Sequence, residues 1–391
     1  MKESITRITL IDALRGASLF GILLANILIF QFGMWGKDEI HFYNLSNSNT
    51  VAYQFIKIFI EGSFMPIFTF LFGYSMVKMK EKLENHHLKY KRYFARRFLM
   101  LLLLGILHST FLWEGDILTF YGMMGFFLLL FLNRRMKTIF IWAIILLCLT
   151  PLIGYGQLEE TKQEQAQMEE YVLDTIQTYS FGSYTEIMDH RNNELPMDVS
   201  PGLLIFILAF IPFMSAPLFL FGIYSAKTGL FTQPALEKRQ YIIGMILVPI
   251  GLILKSFNIF LPDFNWSGVL GMLGANLLSL GYIFLFAFLF HILKGKKVKN
   301  AFANVGKLSL TNYLMQTVIC TTIYYGYGFG LFGHTNLFSG ILLALCIFCL
   351  QVIASTFYLK ISSQGPVERV LRVVTNFSFK STLKKKETIS L

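Results

Sequence analysis

The segment Arg96–Tyr121, RRFLMLLLLGILHSTFLWEGDILTFY, decides how the rest of the chain is read. Paired arginines open it, and the apolar run of helix length that follows carries one histidine, His108. The run breaks at Trp113, Glu114, Gly115 and Asp116, and a second apolar run begins at Ile117. An imidazole inside hydrocarbon, followed within two turns by two carboxylates at a helix–helix turn, is costly to keep for packing alone, so the hairpin is read as part of a site.

Further runs of similar length lie on both sides of this hairpin. Of the 391 residues, 54% are hydrophobic and 15% charged, well under the about 25% charged residues of soluble domains. Apolar runs of ~20 residues match a hydrocarbon core crossed by helices, and they lack the alternation of a membrane barrel. The chain is therefore expected to be all-α, a polytopic bundle of about ten transmembrane helices in one domain. The spans are placed at about 11–33, 51–77, 97–113, 117–133, 137–155, 201–225, 240–260, 267–293, 303–327 and 337–361. The first run has no small-residue cleavage pattern and is read as a membrane helix.

The net charge of +11 lies in the loops, where it reports topology and not a nucleic-acid partner. With the N-terminus inside, 29 of the 34 lysines and arginines fall on cytoplasmic segments, so both termini are expected in the cytoplasm and 362–391 forms a basic cytoplasmic tail. The longest outer loop, 157–198, has Met168, Val172, Ile176 and Tyr179 at helical spacing, which suggests an amphipathic helix, either a lid or a plain solvated surface element. Pro212 and Pro217 lie in one span, which is expected to be broken there. The four cysteines all fall in apolar runs without a histidine or second pair beside them, so neither a disulfide nor a metal is expected.

The remaining polar groups of the spans are few. Asp12 and Arg15 lie three apart in the first span, with Asn26 about three turns on. Lys57 and Glu61 in the second span can satisfy each other at i and i+4. Asn26, Glu61, His108 and Asp116 fall at similar depths and can converge. In the ninth span Ser309, Asn312, Tyr313 and Gln316 recur at i, i+3, i+4 and i+7, a polar face that needs protein or water beside it, as a ligand wall or as interhelical hydrogen-bond glue. After the last span, Gly365 and Pro366 turn the chain into a short helix with Arg369 and Arg372. With Arg96 and Arg97 these guanidiniums are able to hold a phosphorylated ligand, although positive-inside bias explains such charges as well.

Five phrases, IDALRGASLFGILLAN, EGSFMPIFTFLFGYS, LLGILHSTFLWEGDILTFYGMMG, GKLSLTNYLMQT and GPVERVLRVVT, together resemble the YeiB-type family, domain-of-unknown-function family 418, over nearly the whole chain. That family is grouped with transmembrane acyltransferases that include the heparan-glucosaminide N-acetyltransferases and bacterial polysaccharide O-acetyltransferases. The resemblance implies transfer of an acyl group from cytoplasmic acyl-CoA to an acceptor on the far side. Its D-x-x-R-G…N pattern maps onto Asp12, Arg15, Gly16 and Asn26, and its H…W-x-G-D-I-L pattern onto His108, Trp113, Gly115 and Asp116. In the glucosaminide branch an active-site histidine lies in the first outer loop; the same offset here lands on Lys37, with His41 nearby, and Ser63 stands where the second phrase usually has lysine.

The function expected is thus that of a multi-pass plasma-membrane acyltransferase using acetyl-CoA or another acyl-CoA as co-substrate. His108, Asp116, Asn26 and Glu61 are the expected catalytic groups, and Arg15, Arg96, Arg97, Ser309, Asn312, Tyr313, Gln316 and Arg369 the donor-binding groups. A general base such as His108 works best with a pKa near the operating pH, its ring oriented by a carboxylate. The partners are the lipid bilayer and an outer-face acceptor bearing a hydroxyl or amine, such as a sugar, with a homodimer left open. A small-solute or proton-coupled transporter is the alternative reading of the same groups.

Overall fold

The computed structural model describes residues 8–43, 47–156, 161–196 and 201–379. Lys2, Arg7, the two ends of the outer loop at 157–160 and 197–198, and the last part of the basic tail at 380–391 lie outside the described residues. Every regular element among the described residues is helical. The first hairpins are built from α1 (Thr9–Phe32), α2 (Asn47–Phe55), α3 (Met65–Asn85), α4 (Tyr90–Phe111), α5 (Leu118–Leu132) and α6 (Met136–Leu149). Two polar helices follow, α7 (Lys162–Phe181) and α8 (Tyr184–Asn193), then α9 (Pro201–Lys227), α10 (Lys238–Gly244), α11 (Leu247–Phe260) and α12 (Ser267–Ile292). The chain closes with α13 (Lys296–Lys307), α14 (Ser309–Tyr324), α15 (Leu337–Ile361) and α16 (Pro366–Asn376).

Among the described residues, eight helical stretches are long and apolar enough to cross a membrane: Thr9–Phe32, Asn49–Asn85, Tyr90–Phe111, Met136–Gly154, Phe210–Lys227, Lys238–Phe260, Ser267–Ile292 and Leu337–Ile361. This marks the chain as a polytopic helical membrane protein. Two further expected spans are shorter, α5 with 15 residues and α14 with 16. The ninth span does not run unbroken from 303: the chain turns at Leu308, separating α14 from α13. The sequence of α13, KKVKNAFANVGK, has too many lysines and amides to enter hydrocarbon. It packs against α1 instead, and there a Cβ on Gly306 would lie 1.8 Å from the Asp12 carbonyl oxygen and one on Gly16 2.1 Å from that of Phe302, so only glycine permits the crossing.

Pro212 and Pro217 do not break α9, which runs through both. Packing against α3 and α6 holds it in shape, as neighbouring helices do for prolines in other membrane spans. Pro66 and Pro249 fall in the first turns of α3 and α11, where a missing N–H costs little. The second span is interrupted elsewhere: a π-helical turn at Ile56–Ile60 leads into Glu61 and Gly62 before α3 begins.

The two ends of α4 are covered differently. At its arginine end lies α16, which also meets α14. At its other end lies α8, where Arg191 donates to the carbonyl oxygens of Thr110 (2.8 Å) and Leu112 (3.1 Å), and the Tyr184 hydroxyl donates to that of Phe111 (2.6 Å). On α7, Val172 and Tyr179 are buried and Met168 half-buried, so this helix lies against the bundle with its acidic face outward.

Candidate functional site

The hairpin closes because Gly105 lets α5 approach α4. A Cβ there would lie 2.2 Å from the Thr119 nitrogen and 2.6 Å from Asp116 Oδ2. Asp116 is thereby brought back along α4 to His108, with its Oδ1 3.0 Å from His108 Nδ1. Its Oδ2 accepts the Thr119 N–H at 2.8 Å. Burial alone would raise the Asp116 carboxyl, but the imidazole and the N–H groups of Thr119 and Leu118 hold it below the usual carboxylate range. An ionised carboxylate accepts only, so it fixes the ring proton on Nδ1 and leaves the Nε2 lone pair free to act.

Sequence reasoning passed over the residue that Nε2 faces. Thr317 of α14 puts its hydroxyl 3.2 Å from Nε2 and 3.4 Å from the carbonyl of Tyr313, one turn back. The hydroxyl donates to Nε2 when the ring is neutral. When the ring is charged, it turns its proton to the Tyr313 carbonyl and accepts from Nε2–H. One threonine thus serves both protonation states of the ring. His108 is only 5% exposed, with Tyr313 and Trp113 against it at 5.4 and 6.4 Å between ring centroids.

Beside this pair lies a cavity of about 380 Å³. Arg15, Arg97, Lys307 and Arg372, with Glu368, line its arginine end. Leu19, Ile22, Phe68, Phe72 and Leu101 line its shaft, and Ile117, Tyr121 and Tyr313 its inner end. Tyr313 is the link: its ring meets His108, and its hydroxyl donates to the Gly115 carbonyl at 3.2 Å. Three polar atoms on the wall, Arg372 Nε, Gln364 Oε1 and Tyr121 Oη, are buried with no hydrogen-bond partner. Such groups are costly to leave unpaired. Glu368 fixes the floor by accepting from the Leu310 and Thr311 N–H groups (2.8 and 3.1 Å) and the Thr311 hydroxyl, which pins α16 under the first turn of α14.

The expected site residues separate into groups. Arg15, Arg97, Ser309 and Tyr313 line the cavity, with Arg15 held by Asp12 at 3.1 Å and Ser75 at 2.8 Å. Asn312 and Gln316 turn to α15, where Asn312 donates to Ser355 (3.0 Å) and Gln316 to Gln351 (2.8 Å), so these two are interhelical glue. Arg96 lies over the Phe377 ring at 4.1 Å, and Arg369 is exposed on α16. Neither lines the cavity; Arg372, one turn further, does.

Glu61 is not joined to His108. Its carboxylate meets Lys37 at 2.9 Å and Lys57 at 2.6 Å, and Lys57 also contacts Asp38. Lys255 of α11 donates to the Glu61 carbonyl and to Ser63 Oγ at 3.0 Å. A lysine ammonium therefore lies against the place where the resemblance puts a lysine, supplied from another helix. Asn26 is half-buried on α1, outside the cavity wall and the His108–Asp116 contact.

Compared with known proteins, the chain is 32% identical to the uncharacterized protein YxaH of Bacillus subtilis (strain 168), over 97% of this chain and 96% of the relative. The model of the family described as "Protein of unknown function (DUF418)" matches residues 225–378. The chain belongs to the YeiB-type DUF418 family. It is also 25% identical to the uncharacterized protein YeiB of Escherichia coli (strain K12), over 93% of this chain and 95% of the relative. A 39.9 kDa protein encoded in the amylase 3' region of Bacillus acidopullulyticus is 25% identical over 97% of both chains. No solved structure matches. The DUF418 match covers α10 to α16, with Tyr313, Thr317 and Arg372, whereas the His108 hairpin lies outside it.

Proposed function

We propose that this protein is an integral-membrane acyltransferase that takes an acyl group, acetyl in the first instance, from acyl-CoA at its arginine end. The acceptor is a hydroxyl or amine arriving from the α7–α8 side. The observation that carries this reading is the cavity itself, which runs from four cationic side chains along an apolar shaft to Tyr313 beside the His108–Asp116 pair. The phosphates of CoA lie on Arg15, Arg97, Lys307 and Arg372, where guanidinium forks suit phosphate oxygens. The pantetheine arm follows the shaft, with the thioester at Tyr313.

His108 Nε2 draws the proton from the acceptor as its oxygen or nitrogen attacks the thioester carbon, and Asp116 stabilises the imidazolium. Tyr313 donates to the tetrahedral oxyanion by releasing the Gly115 carbonyl. Collapse of the intermediate breaks the C–S bond, and the thiolate leaves as thiol with the proton from His108. Transfer runs outward across the plasma membrane, with the arginine end and both termini in the cytoplasm, an orientation that the loop charges support.

Radiolabelled acetyl-CoA supplied to membranes containing the protein should deliver its label to a membrane or outer-face acceptor, and His108→Ala should abolish this while retaining thermal stabilisation by CoA. Full transfer by that variant would refute the base assignment. The Lys37–Asp38–Lys57–Glu61 cluster, with Lys255 beside it, favours a second reading, a solute or proton-coupled transporter. Indifference of the melting temperature to acetyl-CoA would select it, since a bound ligand must stabilise the state it binds.

A further inference from the structure

We propose that Asp174, His190 and Glu194 form a divalent-cation site that staples α7 to the end of α8. One ligand atom from each of the three lies within 4.8 Å of the others. His190 is 2% exposed, and its ring is held between Tyr171, stacked at 5.3 Å, and the edge of Tyr179 at 5.6 Å.

The Thr175 hydroxyl lies 2.7 Å from the Tyr171 carbonyl and 2.9 Å from His190 Nε2, so when it donates to the carbonyl it accepts from Nε2–H. Nδ1 is turned toward Glu194 Oε2 (2.5 Å) and Asp174 Oδ2 (3.3 Å), and with the ring hydrogen on Nε2 it offers them a lone pair. A cation among the three would satisfy that lone pair and both carboxylate oxygens. A proton on Nδ1 gives one N–H, which serves Glu194 and leaves Asp174 at a longer distance. It also leaves the group negative, and Glu170 stands on the same rim.

A divalent ion satisfies all three at once. Imidazole and carboxylate ligands at about 2.0–2.2 Å put ligand atoms about 3.0–3.4 Å apart. The Asp174 contact already has that spacing, and Glu194, exposed just past α8, reaches it by a small outward swing. The Thr175 contact is the outer hydrogen bond that orients a ligating histidine. The ion has a route in and room for water, because Glu170, Asp174 and Glu194 line a surface hollow of about 330 Å³. Two carboxylates with one imidazole suit zinc or manganese better than calcium, which takes oxygen ligands. The expectation of no metal rests on cysteine spacing and does not consider histidine with carboxylates.

The ion would act at a distance from the chemistry. His190 is followed by Arg191, which holds the end of α4 by two carbonyl oxygens, so the cation fixes the cover that stands over the hairpin turn.

Full-length protein in detergent, stripped with chelator and then titrated with Zn2+ or Mn2+, should bind one ion per chain by elemental analysis and gain melting temperature. Asp174→Asn and Glu194→Gln should each weaken binding at least tenfold without lowering the melting temperature of the stripped protein, and His190→Gln should abolish it. Glu170→Gln, on the rim outside the ligand set, should bind as the parent does. Cobalt should give a visible absorption band that the His190→Gln variant lacks. Failure to bind one ion per chain, or binding unchanged in all three ligand variants, would overturn the site and leave an imidazolium–carboxylate cluster.

Discussion

Thr317 holds its hydroxyl 3.2 Å from His108 Nε2, on the side of the ring opposite Asp116. The imidazole is thus gripped at both nitrogens, by a carboxylate that fixes its tautomer and by a hydroxyl that can reverse its hydrogen bond. On the proposed function, an acceptor hydroxyl reaching Nε2 takes the place of Thr317, which makes this residue a positioning group for the imidazole.

Thr317→Val keeps the volume and removes the hydroxyl. It should lower kcat for acetyl transfer about tenfold or more, within the range attributed to general-base assistance, while the Kd for CoA stays unchanged. Thr317→Ser should restore activity to near the parent level, and the pH–rate profile of the valine variant should shift. Steady-state kinetics across pH in detergent micelles checks both; an unaltered valine variant would remove Thr317 from the mechanism.

Arg372→Gln removes a guanidinium whose Nε is buried and unpartnered on the cavity wall. Loss of one charged hydrogen bond should weaken acetyl-CoA binding by about 1.5–3 kcal/mol, read as a raised half-saturation in a thermal-shift titration. Arg369→Gln, one turn away and exposed, should bind as the parent does. Equal losses in both variants would indicate general electrostatics and not a phosphate subsite.

Much of this was legible in the sequence, but not all for the same reason. His108 and Asp116 stand out because an ionisable group in hydrocarbon must have a partner, and a turn eight residues on can supply only a few. Thr317 gives no such signal, since a threonine in an apolar helix can satisfy itself on its own backbone. Depth along a helix can be counted from sequence, whereas direction around it cannot: Glu61 has the right depth yet faces Lys37 and Lys57. The stripe of α14 divides for the same reason, with Ser309 and Tyr313 on the cavity and Asn312 and Gln316 on α15. The continuity of α9 through two prolines is a property of its neighbours and has no local signature.

Gly105→Ala forces a methyl group against the Thr119 nitrogen, which is backbone and cannot rotate aside. Overpacking of this kind should cost about 1–3 kcal/mol and displace Asp116 from His108. The variant should melt earlier and transfer acetyl more slowly, whereas Gly202→Ala, with open space around it, should keep normal activity.

Glu114 stands in the hairpin turn, where burial pushes its carboxyl up against the opposing pull of its own backbone N–H, Arg191 and the Tyr179 hydroxyl. A carboxyl with a raised folded pKa binds more protons folded than unfolded, so its contribution is present below its unfolded value of about 4.3 and declines as pH rises through the folded value. Glu114→Gln is neutral throughout and escapes the decline. Its melting temperature relative to the parent should therefore rise from pH 4 to pH 8; a constant difference would show that Glu114 is not the titrating group.

Glu368→Ala removes the acceptor for two N–H groups and one hydroxyl at the start of α14. The loss of such a cap costs about 0.5–2 kcal/mol, but the larger effect should be local. Proteases should cut near 363–372 sooner in the variant, and CoA protection should weaken in step.

The cavity takes one wall from Arg15 and Leu19 of α1 and another from Glu368, Leu371 and Arg372 of α16. During synthesis every apolar span can enter the bilayer before α16 has emerged from the ribosome. A nascent chain at that stage would be fully threaded yet would lack one wall of the cavity, so on the proposed function competence would begin abruptly, with the arrival of α16.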